Sequence, residues 1–372
     1  MYQNLRTTNQ NFTEVNQNLE TINWNVSTMD RNVYWSVLSF AQVWSPISST
    51  IRRVLTIIQK GYYPILAIIG VPVNVITIVI LTRKNCGLSK SVTCYLVAMA
   101  VGDLLVVILD LILRHIPIVF EAQFYFLSSV PVCNIHAVLL YAATDCSVWF
   151  TVTFTFDRFV AICWVNQKSN YCSKKTATVV LGTVTVLSCL KNIFWYFMYT
   201  GRYSLSNEPW FCDVTIYVQI SLVWSIIELI HYILNPSVPF VMVLLLNVLT
   251  VRHIVVSSRA RRRLRAHNSG KSPRDTEIES RKKSIILLFI ISANFVLLWL
   301  MFTVYSLWNR MRFLKTNYVY LDLNVSELGF MLQLLSCCTN TAIYAVTQTQ
   351  FRQQLTNVLK FPFTPIMQLI KS

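Results

Sequence analysis

The chain has 372 residues, of which 54% are hydrophobic and 13% charged, about half the charged fraction of an ordinary soluble domain. Its net charge of +16 comes from 32 lysines and arginines that lie mainly between apolar runs, which argues against a nucleic-acid-binding domain. With eight glycines, no H-E-x-x-H sequence and no phosphate-cradling loop, it carries no sign of an enzyme.

The first segment, residues 1–60, is polar and rich in Asn, Gln and Thr. It contains two glycosylation acceptor triplets, which begin at Asn11 and Asn25 and have meaning only if this segment is translocated. We therefore predict an extracellular N-terminal tail over 1–60.

Seven apolar runs follow, each long enough to cross a bilayer as a helix. They cover residues 61–82, 91–113, 130–164, 176–199, 215–254, 282–308 and 325–347. This pattern predicts an all-α membrane protein with a seven-transmembrane helix bundle over 61–347.

The basic residues lie unevenly on the two sides of these runs. Eleven of them fall between Arg252 and Lys283, and the loops after the first and third runs are also basic. Because cytoplasmic loops carry the excess of Lys and Arg, we predict a plasma-membrane protein with its N-terminus outside and its C-terminus in the cytoplasm. This inner surface suits both anionic lipids and a cytoplasmic partner protein.

The last segment, 348–372, begins with a helical pattern that places Phe351, Leu355 and Val358 on one face beside Arg352 and Lys360. It predicts a short amphipathic eighth helix, lying on the inner membrane surface or packed on the bundle, followed by a short cytoplasmic tail.

Polar residues inside the spans need a reason, because a charge in the bilayer centre costs about 3 kcal/mol. Asp103 lies within an apolar stretch, with Asn74 in the first span and Asn340 in the seventh as expected hydrogen-bond partners. One interpretation is a cation site, with sodium as the candidate ion; the alternative is a structural hydrogen-bond cluster.

Asp157 and Arg158 stand together at the inner end of the third span. The pair is interpreted as a local lock that holds a closed state, or alternatively as an arginine that reaches toward the lipid headgroups. On the outer side, Cys133 and Cys212 are positioned to form a disulfide over the mouth of the bundle.

These features resemble the rhodopsin class of G-protein-coupled receptors over residues 60–360, beginning with the 25-residue interval from Cys133 to Arg158. The matching motifs are Gly70-x-x-x-Asn74, Asp103, Asp157-Arg158-Phe159, Phe295-x-x-Leu298-Trp299 and Asn340-Thr341-Ala342-Ile343-Tyr344. Within the class, 68–118 and 292–299 are most similar to orphan receptors that respond to aromatic amino acids, above all the divergent cartilaginous-fish members.

Two family prolines are replaced. Met301 and Thr341 stand where this class has the prolines of spans six and seven. The sequence therefore lacks the two residues that normally kink the helices that move on activation. The acidic partner that Arg158 normally has at the base of span six is also missing, because Lys282 and Lys283 occupy that region.

The resemblance also predicts an outer ligand cavity. Leu140 replaces the aspartate of amine receptors, which argues against an amine ligand. The predicted ligand-binding residues are Tyr141, Thr144, His231, Tyr232, Phe302, Ser306 and Gln333. His231 is equally open to a structural interpretation, Asp110 and Arg114 are interpreted as a structural ion pair, and Arg310 as a solvated loop charge.

The predicted function is that of a receptor, not an enzyme. A small amphipathic ligand or peptide, with an aromatic amino acid as a candidate, binds outside and activates a heterotrimeric G protein, first of all the Gq type. The predicted switch residues are Asp157, Arg158, Phe295, Trp299, Asn340 and Tyr344. No cofactor is expected apart from the sodium ion, and the alternative is a multi-span transporter or channel.

Overall fold

The computed structural model describes residues 31–83, 86–164, 171–206, 210–265, 274–313 and 321–360. Its contacts divide the chain into two units, Met1–Leu55 and Thr56–Ser372, and the functional features lie in the larger one. Within the described residues, seven helices are long and apolar enough to cross a membrane, which confirms the predicted bundle. These spans one to seven are Ser48–Arg83, Lys90–Val119, Cys133–Cys163, Lys174–Met198, Leu222–Ser257, Ile285–Met311 and Leu323–Thr347.

The helices of spans one, three, six and seven are continuous: Arg31–Arg83, Cys133–Cys163, Arg274–Phe313 and Leu323–Thr347. Span two runs through Lys90–Val106, a π-helical segment Val107–His115 and Ile116–Val119, and span four through Lys174–Lys191 and Phe194–Met198. Span five consists of Leu222–Tyr232, a second π-helical segment Ile233–Ser237 and Val238–Arg265. Outside the spans, the described residues also form the short helices Glu121–Phe124, Tyr125–Ser129 and Ile216–Ile220.

The span ends follow local sequence signals. Ser89 and Ser173 cap spans two and four, since their hydroxyl oxygens accept from the backbone N–H of Val92 and Thr176 at 3.4 and 3.1 Å. The first helix begins well before the predicted residue 61, because the cations that interrupt its apolar pattern, such as Arg52 and Arg53, are exposed and do not stop a helix.

The outer end is closed by a two-stranded antiparallel hairpin, β1 Tyr199–Tyr203 and β2 Cys212–Val214. The disulfide between Cys133 and Cys212 is present, as predicted, and ties β2 to the start of span three. The hairpin therefore lies over the bundle at a fixed point.

The inner end is closed by the helix Thr349–Lys360, which confirms the predicted eighth helix. Phe351 is fully buried and packs edge-on against Tyr344 of span seven at 5.9 Å between ring centres. Leu355 packs on the same core cluster while Arg352 faces outward, so the helix is amphipathic as expected.

Candidate functional site

A cavity opens between spans two, three, five, six and seven beneath the hairpin. Its lining residues are Asp110, Arg114, Leu140, Tyr141, Thr144, Trp210, His231, Tyr232, Asn235, Pro236, Trp299, Phe302, Phe330 and Gln333. This outer cavity has mainly aromatic walls with a few polar groups, which is the usual composition of a small-molecule site.

Six of the seven predicted ligand-binding residues line the outer cavity: Tyr141, Thr144, His231, Tyr232, Phe302 and Gln333. Ser306 does not line it, although its side chain is buried. One helical turn before Ser306, Phe302 meets Phe330 at 5.2 Å between ring centres, and this contact brings spans six and seven together.

An aromatic stack holds His231 in place. Tyr141 lies parallel to Trp195 at 4.0 Å between ring centres, and Trp195 continues the stack to Tyr199 at 5.5 Å. His231 meets the edges of Tyr141 and Trp195 at 5.5 and 5.1 Å. Its ring is therefore positioned by packing, while its Nδ1 atom has no hydrogen-bond partner among the described residues.

Asp110 and Arg114 form the expected ion pair, with Arg114 Nη1 2.8 Å from Asp110 Oδ1. Their side chains are only 1% and 3% exposed, yet both line the outer cavity. The Arg114 guanidinium also lies over the ring of Phe330 at 4.6 Å, a cation–π distance. The purely structural interpretation thus missed that this pair forms part of the cavity wall.

Arg310 is not a solvated loop charge: it lies in span six, is 9% exposed and forms an ion pair with Glu228 of span five. Its guanidinium also approaches the rings of Trp210 and Tyr232 at 5.6 and 5.3 Å. The helix of span six continues beyond the predicted end at 308 because this pairing compensates the buried charge.

A second, small polar cavity lies below the first. Asp103 accepts hydrogen bonds from Ser147 Oγ and Asn340 Nδ2, both at 2.6 Å. Asn74, the other expected partner, does not bond to Asp103: its Nδ2 donates instead to the backbone oxygens of Gly70 and Cys337, both at 2.9 Å, because these carbonyls already satisfy its amide. Trp299 lines both cavities and separates them.

The oxygen atoms around Asp103 suit a hard cation. A carboxylate, the Ser147 hydroxyl and the amide of Asn340 meet at the cavity, which Asn294 and Ser336 also line. These residues would hold a sodium ion if one binds.

At the inner end, Arg158 forms an ion pair with the neighbouring Asp157, and Ser91 of span two donates to the same carboxylate at 2.8 Å. Arg158 is 7% exposed. The local lock therefore has a third member, Ser91, which the tripeptide alone does not reveal. The side chains of Lys282 and Lys283 lie outside the described residues.

The remaining predicted switch residues lie on spans six and seven and contact neighbouring elements. Phe295 packs against Trp299 at 5.6 Å between ring centres, and Trp299 Nε1 donates to Ser336 Oγ of span seven at 3.0 Å. Farther inward, Asn340 holds Asp103 and Tyr344 contacts the eighth helix. The acceptor sites Asn11 and Asn25 lie outside the described residues.

The family model of the seven-transmembrane receptors of the rhodopsin family matches residues 73–344. The chain belongs to this family. The receptor is similar to atypical chemokine receptor 3 of Rattus norvegicus, 23% identical over 325 residues that make up 84% of this chain and 82% of the relative. It is also similar to G-protein coupled receptor 39 of Mus musculus, 26% identical over 152 residues, 40% of this chain and 32% of the relative. These relatives are receptors rather than enzymes.

Sequence reasoning missed one further polar cluster of the receptor. Asp145 of span three is 1% exposed and lies 2.6 Å from Lys191 Nζ and 2.6 Å from Asn192 Nδ2, both on span four. Asn235 of span five donates to the same carboxylate. The available signal was a charged residue within each of two apolar runs, since such residues pair in membranes.

Proposed function

We propose that the receptor binds a small amphipathic ligand, or a side chain of a peptide, in the outer cavity and transmits this binding to a heterotrimeric G protein. The observation that carries the proposal is the position of Trp299, which forms the floor of the outer cavity and the roof of the Asp103 cavity. A ligand in contact with Trp299 changes the packing of both.

The proposed mechanism is a population shift between two arrangements of the bundle. A ligand that repacks Trp299 also moves Phe295, one turn closer to the cytoplasm. Arg158 then leaves Asp157 and the inner ends of the spans separate, so that a helix of the G protein can enter. The N-terminus lies outside the plasma membrane, in keeping with the disulfide of the outer hairpin.

An aromatic amino acid is our candidate ligand. Its ring fits the walls formed by Tyr141 and Phe302, and Arg114 supplies the cation that a carboxylate needs. A peptide is the second candidate, and the similarity to a receptor named for chemokines favours it. Gq coupling remains our first choice of G protein, and the basic inner surface that includes Arg259 also suits anionic lipids.

The Asp103 cavity is proposed to hold a sodium ion in the resting receptor. The ion would supply positive charge to a carboxylate whose hydrogen bonds come from Ser147 and Asn340. These two residues orient the carboxylate and link spans two, three and seven. Raising the sodium concentration from about 10 to 150 mM should lower the basal activity of the wild type but not that of Asp103→Asn. The variant is the control for ionic strength, because charge screening also changes over this range.

The test is a screen of aromatic amino acids and short peptides on cells that express the receptor, with calcium release and cyclic AMP as readouts. With an active compound in hand, Arg158→Ala should abolish nucleotide exchange while surface expression stays intact, and His231→Ala should raise the half-maximal concentration about tenfold. Arg352→Ala, an exposed arginine of the eighth helix, is the control. Ligand flux across the membrane without nucleotide exchange would support a transporter instead.

A further inference from the structure

The wall of the outer cavity between spans three and five has an unequal supply of hydrogen-bond donors and acceptors. Asp145 lies behind this wall and is a carboxylate, which can only accept hydrogen bonds when ionised. It receives an N–H from Asn192 at 2.6 Å and one from Asn235, and Lys191 Nζ lies 2.6 Å from the same carboxylate. The side-chain amide of Asn235 must therefore turn its NH₂ group toward Asp145.

The carbonyl oxygen of Asn235 then points away from the carboxylate. Asn235 lines the outer cavity and is 4% exposed. Its Oδ1 atom is buried and has no hydrogen-bond partner in the described part of the chain. A buried carbonyl oxygen without a hydrogen-bond partner can accept a hydrogen bond from a donor group of a ligand.

Two donors that line the cavity are already used. Thr144 donates its hydroxyl hydrogen to the backbone oxygen of Leu140 at 2.9 Å, and Trp299 donates its indole N–H to Ser336 at 3.0 Å. His231 adds a second unpartnered atom, Nδ1, to the same cavity. The acceptors that this wall offers to a ligand are the Asn235 oxygen, the lone pairs of Thr144 and, in one tautomer, the His231 nitrogen.

We infer that this wall is a subsite for a ligand N–H or O–H group, with Asn235 Oδ1 as its acceptor and Asp145 as the positioning residue that aims the oxygen. The inference rests on the proposed function, in that the outer cavity must bind ligands. It adds the chemistry of the group that binds there: a hydrogen-bond donor on an aromatic or other planar apolar body, aligned along the wall between Thr144 and His231.

The test compares indole with benzofuran, two planar fragments of nearly equal shape that differ in having an N–H or an oxygen at one ring position. Their dissociation constants are measured by ligand-observed NMR titration on the full-length receptor in lipid nanodiscs. We expect about a tenfold preference for indole in the wild type, the value of one hydrogen bond to a buried acceptor. Benzofuran binding needs no donor and reports in every variant that the cavity is folded.

Asn235→Leu should reduce the preference to about one while benzofuran still binds, and Asn235→Ala repeats the test with less bulk if the leucine variant does not fold. Asp145→Asn should reduce the preference as well, because an amide at 145 no longer dictates how Asn235 turns. Asn247→Leu is the matched control: another asparagine of span five with a buried unpartnered oxygen, outside the lining of this cavity. It should keep the wild-type preference.

The outcomes separate the claims. Equal affinity of the two fragments in the wild type overturns the donor subsite and leaves the outer cavity as a ligand site. A preference that persists in both Asn235 variants overturns the role of Asn235, and one that persists in Asp145→Asn overturns the positioning role. If neither fragment binds the wild type at millimolar concentration, both this inference and the proposed ligand cavity fail.

Discussion

Several charged side chains of the bundle interior lie in pairs of opposite sign. Asp110 with Arg114 and Asp145 with Lys191 lie close to the outer cavity, and Glu228 with Arg310 joins spans five and six. A lone charge in the membrane is costly, whereas a hydrogen-bonded pair offsets its own desolvation. These pairs thus connect helices at the places where a ligand would bind.

The Glu228–Arg310 pair provides a test of this arrangement. Arg310→Met should destabilise the receptor by about 3 to 5 kcal/mol, because it leaves the Glu228 carboxylate buried without its cation. Glu228→Gln should cost less, since Arg310 keeps the rings of Trp210 and Tyr232. The measurement is the apparent melting temperature in detergent, and the combination of the two changes should recover most of the loss. A double variant no more stable than Arg310→Met would contradict the pairing.

The lock at the inner end gives a second prediction at this scale. Asp157→Asn removes the negative charge that holds Arg158, so ligand-independent nucleotide exchange should rise several-fold. Ser91→Ala should also raise ligand-independent exchange, but by less, because this change removes only one neutral hydrogen bond to Asp157. Exchange is measured with purified G protein and the receptor in nanodiscs. Basal exchange equal to that of the wild type in Asp157→Asn would mean that the pair does not restrain the receptor.

At the scale of elements, the contacts between spans depend on where a backbone can come close. Gly329 of span seven faces Phe302 of span six, and a Cβ atom built on Gly329 would lie 3.1 Å from the Phe302 Cα and N atoms. Phe302 and Phe330, which both line the outer cavity, flank this contact. The same helices lack the family prolines at Met301 and Thr341, so their relative position rests on packing rather than on a built-in kink.

Gly329→Ala should therefore push spans six and seven apart by a few tenths of an ångström, lower the apparent melting temperature and weaken fragment binding in the outer cavity. Backbone atoms of Phe302 cannot move aside as a side chain would. Gly182→Ala is the control, because nothing lies within 4 Å of a Cβ atom there and alanine favours a helix by about 1 kcal/mol over glycine. Equal melting temperatures and equal fragment binding in the two variants would show that the close approach at Gly329 does not contribute to stability or binding.

At the scale of the whole molecule, the bundle is tied at both ends. The disulfide joins Cys133 to Cys212, 79 residues later, and so fixes the hairpin above the outer cavity. At the other end, Phe351 of the eighth helix fills a pocket against Tyr344.

Replacing both bridge cysteines, Cys133→Ser with Cys212→Ser, should lower surface expression and reduce binding in the outer cavity, because the hairpin that carries Trp210 is released. In the chain-entropy account, a closed loop of this length contributes about 4 kcal/mol. Expression is measured by surface labelling, with Cys189→Ser, an exposed free cysteine of span four, as the control. Unchanged expression and fragment binding would show that the hairpin is held by its packing alone.

Much of this receptor follows from its sequence. The spans and the eighth helix were predictable because apolar length sets membrane spans and the helical repeat reveals an amphipathic face, and the disulfide followed from the position of Cys133 and Cys212 on the outer side. Six of the cavity residues were predicted by counting from the motifs that resemble the rhodopsin class. The start of the first helix was not, since exposed cations such as Arg52 and Arg53 interrupt a pattern without ending a helix.

Only the tertiary structure decided which polar residues meet. One example is the contact of Asp145 with Asn192 and Asn235, which are far from it in sequence. In the sequence, each of them is only a polar residue in an apolar run. Arg310 likewise joins Glu228 rather than water. Periodicity places a side chain on a face of its own helix, but it does not say which face of another helix lies opposite. That depends on how seven helices pack at once, and their packing determines which acceptors of the outer cavity remain for a ligand.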